Sequence, residues 1–223
     1  MATFSLSLAR AEDANDRAKV GERLKQAATV LDEVTKADDK GIPEDLLRDA
    51  HCAVIVPDLK KAGFIVSGKY GRGFLTCRKV TGSGWSAPAA IRIEGGGVGF
   101  QIGVSETDLV LLVMNEKGAQ KLMASQFTLG AEGEVAAGPV GRNASAQTDA
   151  KLHAEILSWS RSRGVFAGAS LQAATLREDK DENRAMYGKK LTTKQIVNSK
   201  MAPPAAAASL LAELNSHSRV ESK

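Results

Sequence analysis

The chain carries three histidines and two cysteines, and their spacing offers little to a metal ion or a nucleophile. His51, His153 and His217 stand far apart, and only His51-Cys52 places two ligand-type residues together. Adjacent residues on a strand point to opposite faces, so that pair is poorly placed to share one ion. No serine occupies a Gly-x-Ser-x-Gly elbow, and Gly82-Ser83-Gly84 lacks the strand-to-helix junction an elbow needs. A Cys–His pair, His51 or His153 with Cys77, is geometrically open, but no neighbouring charge marks the thiol as activated. Gly95-Gly96-Gly97-Val98-Gly99 has the look of a dinucleotide loop until the next residues are read. Phe100 to Val104 is strand, not the helix N-terminus that a pyrophosphate requires. These residues predict a binding protein without catalytic residues, metal or cofactor.

The side chains left to do chemistry are cations. Net charge is +4, and the segment 60–79 holds Lys60, Lys61, Lys69, Arg72, Arg78 and Lys79 with no acid among them. Such a surface attracts phosphate-bearing partners, while a strand edge protected by lysine accounts for the same charges equally well. Tyr70 alone stands beside these cations, so the stacking platform of a single-strand nucleic-acid binder is missing. Nucleic acid is not an expected partner.

The elements that must position these cations follow from periodicity. Apolar Ala14, Ala18, Leu24, Ala27, Ala28, Leu31 and Val34 predict an amphipathic helix over 13–35. Pro43-Glu44-Asp45 starts a short second helix ending near Ala50. From Cys52 onward the period is that of strands: 53–56, 64–69, 74–79, 85–93, 98–104, 109–114, 127–129, 134–140, and a long pair 152–158 and 165–176. Tyr70-Gly71-Arg72-Gly73 reads as a hairpin turn and Gly95-Gly96-Gly97 as a joint. Short helices are expected over 116–124 and within 179–190, with a Pro/Ala-rich tail ending in a helix near 205–214. The fold class is α+β: a Gly-rich, strongly curved antiparallel sheet or barrel-like core with short flanking helices.

One domain over 12–198 with a tail over 199–223 fits this length. Residues 1–11 read either as the remnant of a signal peptide, with Ala9-x-Ala11 as its cleavage site, or as an unstructured start. The first reading places the chain outside the cytoplasm, in the periplasm or secreted, at a membrane periphery; the second places it in the cytoplasm. Cys52 and Cys77 lie in apolar runs where a buried inert thiol is the default, although a single bridge stays open.

Segments in fixed order carry a resemblance: Lys61-Ala62-Gly63-Phe64, Trp85-Ser86-Ala87-Pro88, GGVGFQIG from Gly96, DLVLLVMN from Asp108, AAGPVGR from Ala136 and SRSRGVFAG from Ser160. Together they resemble the SYLF lipid-binding domain family over 43–187. Ser170-Leu171-Gln172-Ala173 departs from the family's Ser-Leu-x-Gly, and Trp159 replaces a more usual Tyr. The resemblance implies binding of anionic phospholipids, phosphoinositide-like headgroups included, at a membrane surface, and some fungal members bind actin. A protein-interaction scaffold, actin-binding or an adaptor in the cell envelope, is the alternative, with a filament or envelope protein as partner; a hydrolase is third. Within the matched segments Lys61, Arg142, Arg161 and Arg163 are the headgroup candidates, and Lys60, Lys69 and Arg72 join them by charge. Arg142 also reads as a turn residue paired with Asp149.

Overall fold

A computed structural model describes residues 2–37, 41–63, 66–79, 84–98, 103–129, 135–140, 154–162, 165–168 and 174–217. Two helices, α1 (Ala2–Lys36) and α2 (Glu44–Asp49), precede β1 (Cys52–Gly63), β2 (Val66–Cys77), β3 (Ala89–Val98) and β4 (Gly103–Val113). Then come α3 (Glu116–Leu122), β5 (Gln126–Leu129), β6 (Val135–Ala137), β7 (Ile156–Ser162), β8 (Val165–Gly168) and β9 (Ala174–Glu178). Three short helices follow: α4 (Lys180–Tyr187), α5 (Thr193–Val197) and α6 (Ala208–Ser216).

The strands form one nine-stranded sheet in the order β5-β9-β3-β2-β1-β4-β7-β6, with β8 added beside β7. Among the described residues every pairing is antiparallel except β6 with β7. The sheet curls into a half-barrel, so the expected α+β class and curved antiparallel core are observed.

Cys52–Val56 and Leu109–Val113 are buried at every position, and a strand apolar on both sides must be covered on both. One face carries Ala53, Ile55, Phe74, Val110, Leu112 and Trp159 against α1, α2 and α6. The other carries Val54, Leu75, Ile91, Leu109, Leu111 and Leu176 against α3 and α5. The stripe of α1 that seats on the first face is Val20, Leu24, Ala27, Leu31 and Val34, at helical spacing. Ala14 and Ala18, expected on that stripe, are exposed. The C-terminal helix belongs to the same core: Leu210 and Leu214 are fully buried, and Trp85 Nε1 donates to the Leu214 carbonyl at 3.3 Å.

Several boundaries move. Tyr70-Gly71-Arg72-Gly73 is not a turn; β2 runs unbroken through it, paired with β1 and β3. Its glycines serve close approach instead. A Cβ on Gly73 would lie 2.1 Å from the Ile55 carbonyl oxygen, and one on Gly71 would lie 2.8 Å from Leu59 Cδ1. Gly95-Gly96-Gly97 likewise lies inside β3, opposite Lys69, Gly68 and Ser67, and β4 continues through Ser105–Asp108 without the expected break.

Cys52 and Cys77, directly opposed on β1 and β2, are joined in a disulfide, so the default of two inert thiols is corrected. Their sequence separation of 25 corresponds to a stabilisation of about 3–4 kcal/mol in the chain-entropy account.

The segment Ala136-Ala137-Gly138-Pro139 is explained by its partner on β7. Gly138 lies flat against the buried indole of Trp159, whose Nε1 donates to the Pro139 carbonyl at 2.9 Å. A Cβ on Gly138 would stand 2.1 Å from the ring. Gly138→Ala is therefore expected to cost about 3 kcal/mol through overpacking, read as a lowered urea midpoint with an unchanged slope.

Candidate binding surface

The bulge in β1 organises the first cluster of charge. Register slips between Val56 and Leu59, and Asp58 takes φ 51°, a left-handed conformation that Asp tolerates better than most residues. Its N–H donates to Asp108 Oδ1 at 3.1 Å, and Arg161 Nε donates to the other oxygen, Oδ2, at 2.7 Å. Arg161 also pairs with Glu33 of α1. The node Asp58–Asp108–Arg161–Glu33 ties the bulge, β7 and the helix together. Burial pushes the Asp108 carboxyl above its ordinary range.

A second node holds the same helix about three turns nearer its N-terminus. Arg23 of α1 pairs with Glu182 of α4, which also accepts from Arg72 at 3.1 Å. Arg72 lies 3.3 Å from the buried Asp179 and donates to the Tyr70 hydroxyl at 2.7 Å. Burial raises the Glu182 carboxyl as well, against the opposing pull of Arg23 and Arg72. Tyr187 of α4 closes the arrangement: its hydroxyl donates to the Pro88 carbonyl at 2.6 Å, and burial pushes its ionisation upward.

The predicted cations therefore divide. Arg72 and Arg161 lie on the α1 face, each engaged by acids. Lys60 pairs with Glu106 across the β1–β4 ladder at 3.3 Å. Lys61 and Lys69 are directly opposed on β1 and β2, on the other face, alongside Leu59. Burial first, and the neighbouring Lys61 second, hold the Lys69 ammonium below the usual lysine range. Arg142 and Arg163 lie outside the described residues.

Register also assembles a row that sequence reasoning missed. Arg72, Arg92 and Arg177 are cross-strand partners along β2, β3 and β9, hence on one face. Glu94 is shared between two of them, 2.7 Å from Arg92 and 3.3 Å from Arg177. Nothing local signals this row, because β9 reaches β3 from far along the chain.

Cysteine nucleophilic chemistry is closed while the bridge stands, since both thiols are consumed in it. Among the described residues no group of His, Cys, Asp or Glu is arranged to hold a metal. No described helix is long and apolar enough to cross a membrane.

A family model described as "Ysc84: Las17-binding protein actin regulator" matches residues 94–217. The chain is 42% identical over 179 residues to an SH3 domain-containing protein of Schizosaccharomyces pombe, covering 78% of this chain and 41% of that protein. It is 36% identical over 201 residues to LAS seventeen-binding protein 3 of Saccharomyces cerevisiae, covering 86% and 43% respectively. Against the SH3 domain-containing YSC84-like protein 1 of Rattus norvegicus the identity is 35% over 198 residues, covering 86% and 58%. The chain thus spans about half the length of these curated relatives. These findings agree with the SYLF resemblance of the ordered segments.

Two consequences of the nodes are measurable. Removing the Asp108 carboxylate takes from Arg161, 22% exposed, the acid on β4 and leaves it Glu33, and it also deprives the Asp58 N–H of its acceptor. Asp108→Ala is expected to cost about 2–3 kcal/mol, somewhat less than loss of a partner in a fully buried pair, by chemical denaturation. Glu182 has a raised folded pKa, so between about pH 4.3 and that value the folded chain binds more protons than the unfolded one. Its share of stability is then highest below the unfolded pKa and falls as pH rises through the window. Urea midpoints measured from pH 4 to pH 7 should fall less steeply in Glu182→Gln than in the parent.

Proposed function

Because the chain belongs to the Ysc84 family, we propose that it is a non-catalytic protein-interaction module whose partner is an actin filament or an actin regulator of the Las17 type. The supporting observation is the relatives' likeness, which extends over most of this chain and includes a protein named for binding LAS seventeen. The family description and LAS seventeen-binding protein 3 name binding proteins, in keeping with a sheet whose cysteines are bridged and whose Arg72 and Arg161 serve structural ion pairs. A direct test sediments the purified chain with preformed actin filaments, and separately measures its retention on immobilised Las17. Saturable retention by either supports the module; no retention by both at micromolar concentrations sinks it.

A second reading, docking on anionic phospholipid, is favoured by one observation: the opposed Lys61 and Lys69 on the face away from α1. Two adjacent cations contribute about 1 kcal/mol each at an anionic surface. Vesicles containing phosphatidylserine should retain the parent at low salt and retain Lys61→Glu/Lys69→Glu at least fivefold less. Equal retention by neutral and anionic vesicles would rule this reading out.

A further inference from the structure

A cleft of about 750 Å³ opens between α3 and α5, and both cysteines of the disulfide line it beside Met123 and Val197. Gln120 and Ala124, both exposed, stand in its wall. The volume is that of a small-molecule site. A bond between two central strands thus borders a space that a small molecule can enter. Cys77 is 5% exposed and Cys52 1%, so Cys77 is the more approachable of the two.

The fold also holds the two cysteines in place without the bond. Cys77 exchanges two hydrogen bonds with Ser86: its N–H donates to Ser86 Oγ at 3.1 Å, and its carbonyl accepts from the Ser86 N–H at 2.8 Å. Cys52 is paired with Val113 of β4. Just beyond the bridge the Arg78 N–H donates to the His51 carbonyl at 2.8 Å, and the His51 N–H donates to the Val113 carbonyl at 2.7 Å. Covalent staples are needed where a core is too small, whereas both faces of this sheet carry a buried core. Breaking the bond would leave two thiols directly opposed on β1 and β2, placed to rejoin.

We propose that this bridge is a reversible thiol-exchange site, opened in the folded protein by a small thiol that enters the cleft. The thiolate attacks Cys77 Sγ and the S–S bond breaks. A mixed disulfide forms at Cys77, and Cys52 leaves as a thiolate that takes a proton from solvent. A second thiolate attacks the sulfur of the bound thiol; Cys77 leaves and is protonated, and the two small thiols depart as their disulfide. Two small thiols are oxidised, and the bridge is reduced to a dithiol. A small disulfide drives the same steps in reverse. The site rests on the cleft and the bridge alone, so its fate is independent of the actin and phospholipid readings.

The test incubates the full, oxidised chain with millimolar reduced glutathione at mildly alkaline pH, alkylates at intervals and counts modified cysteines by mass. Both cysteines should become alkylated with the far-UV circular dichroism unchanged, and oxidised glutathione should restore the bridge. Attack through the cleft keeps the rate within about twofold in about 1 M urea, whereas reduction gated by global unfolding accelerates roughly tenfold or more. Ala124→Trp and Gln120→Trp narrow the cleft from its exposed wall. At least one of them should slow reduction about fivefold with an unchanged thermal midpoint. A bridge that resists glutathione until the chain is unfolded overturns the proposal. So does a steep dependence on urea, a loss of secondary structure on reduction, or a parental rate in both tryptophan variants.

Discussion

The central strands of the sheet are apolar on both faces, and most of the architecture follows from covering them. Val54 and Ile55 are both fully buried yet point in opposite directions, as do Val110 and Leu111. A single layer of helices could protect only half of these side chains from water. The chain therefore folds its first and last helices onto one face and places α3 and α5 on the other. Seating α1 brings Glu33 and Arg23 beside the sheet, and with them the need to neutralise charge in a poorly solvated place.

That need explains which cations have been taken up internally. Arg72 and Arg161 are buried along their stems and matched to Asp179, Glu182, Asp108 and Glu33. Such pairs offset desolvation more than they add stability, and they specify where the helix sits. On the face away from α1, Lys69 stands opposite Lys61 rather than an acid, and burial together with that neighbour holds its ammonium below the usual lysine range.

The segments that carry the family likeness are, where the structure describes them, largely devices of packing. Trp85 meets the carbonyl of Leu214, Pro88 receives the hydroxyl of Tyr187, and Gly138-Pro139 accommodates Trp159. Leu109 to Val113 fills both cores at once. A motif of this type identifies the fold with more force than it identifies a ligand.

Local sequence was sufficient for the class of fold, for most of α1, for the short helix after Pro43, and for the strands of the central sheet. Those features arise from periodicity and from Pro and Gly chemistry within a few residues. It misread Gly71, Gly73 and Gly95 to Gly97 as turn and joint, since a glycine needed for close approach and one needed for reversal have the same composition. Only the register across β1, β2 and β3 distinguishes them, through the proximity of the Ile55 carbonyl and the side chain of Leu59. The cations at Lys60, Lys61, Lys69, Arg72 and Arg161 were legible as residues, but their division between two faces was not. Strand alternation, one bulge and the arrival of α1 decide that division, and each depends on contacts between residues far apart in the chain. The same long-range pairing closes Cys52 onto Cys77 and aligns Arg72, Arg92 and Arg177, which no spacing along the sequence could announce.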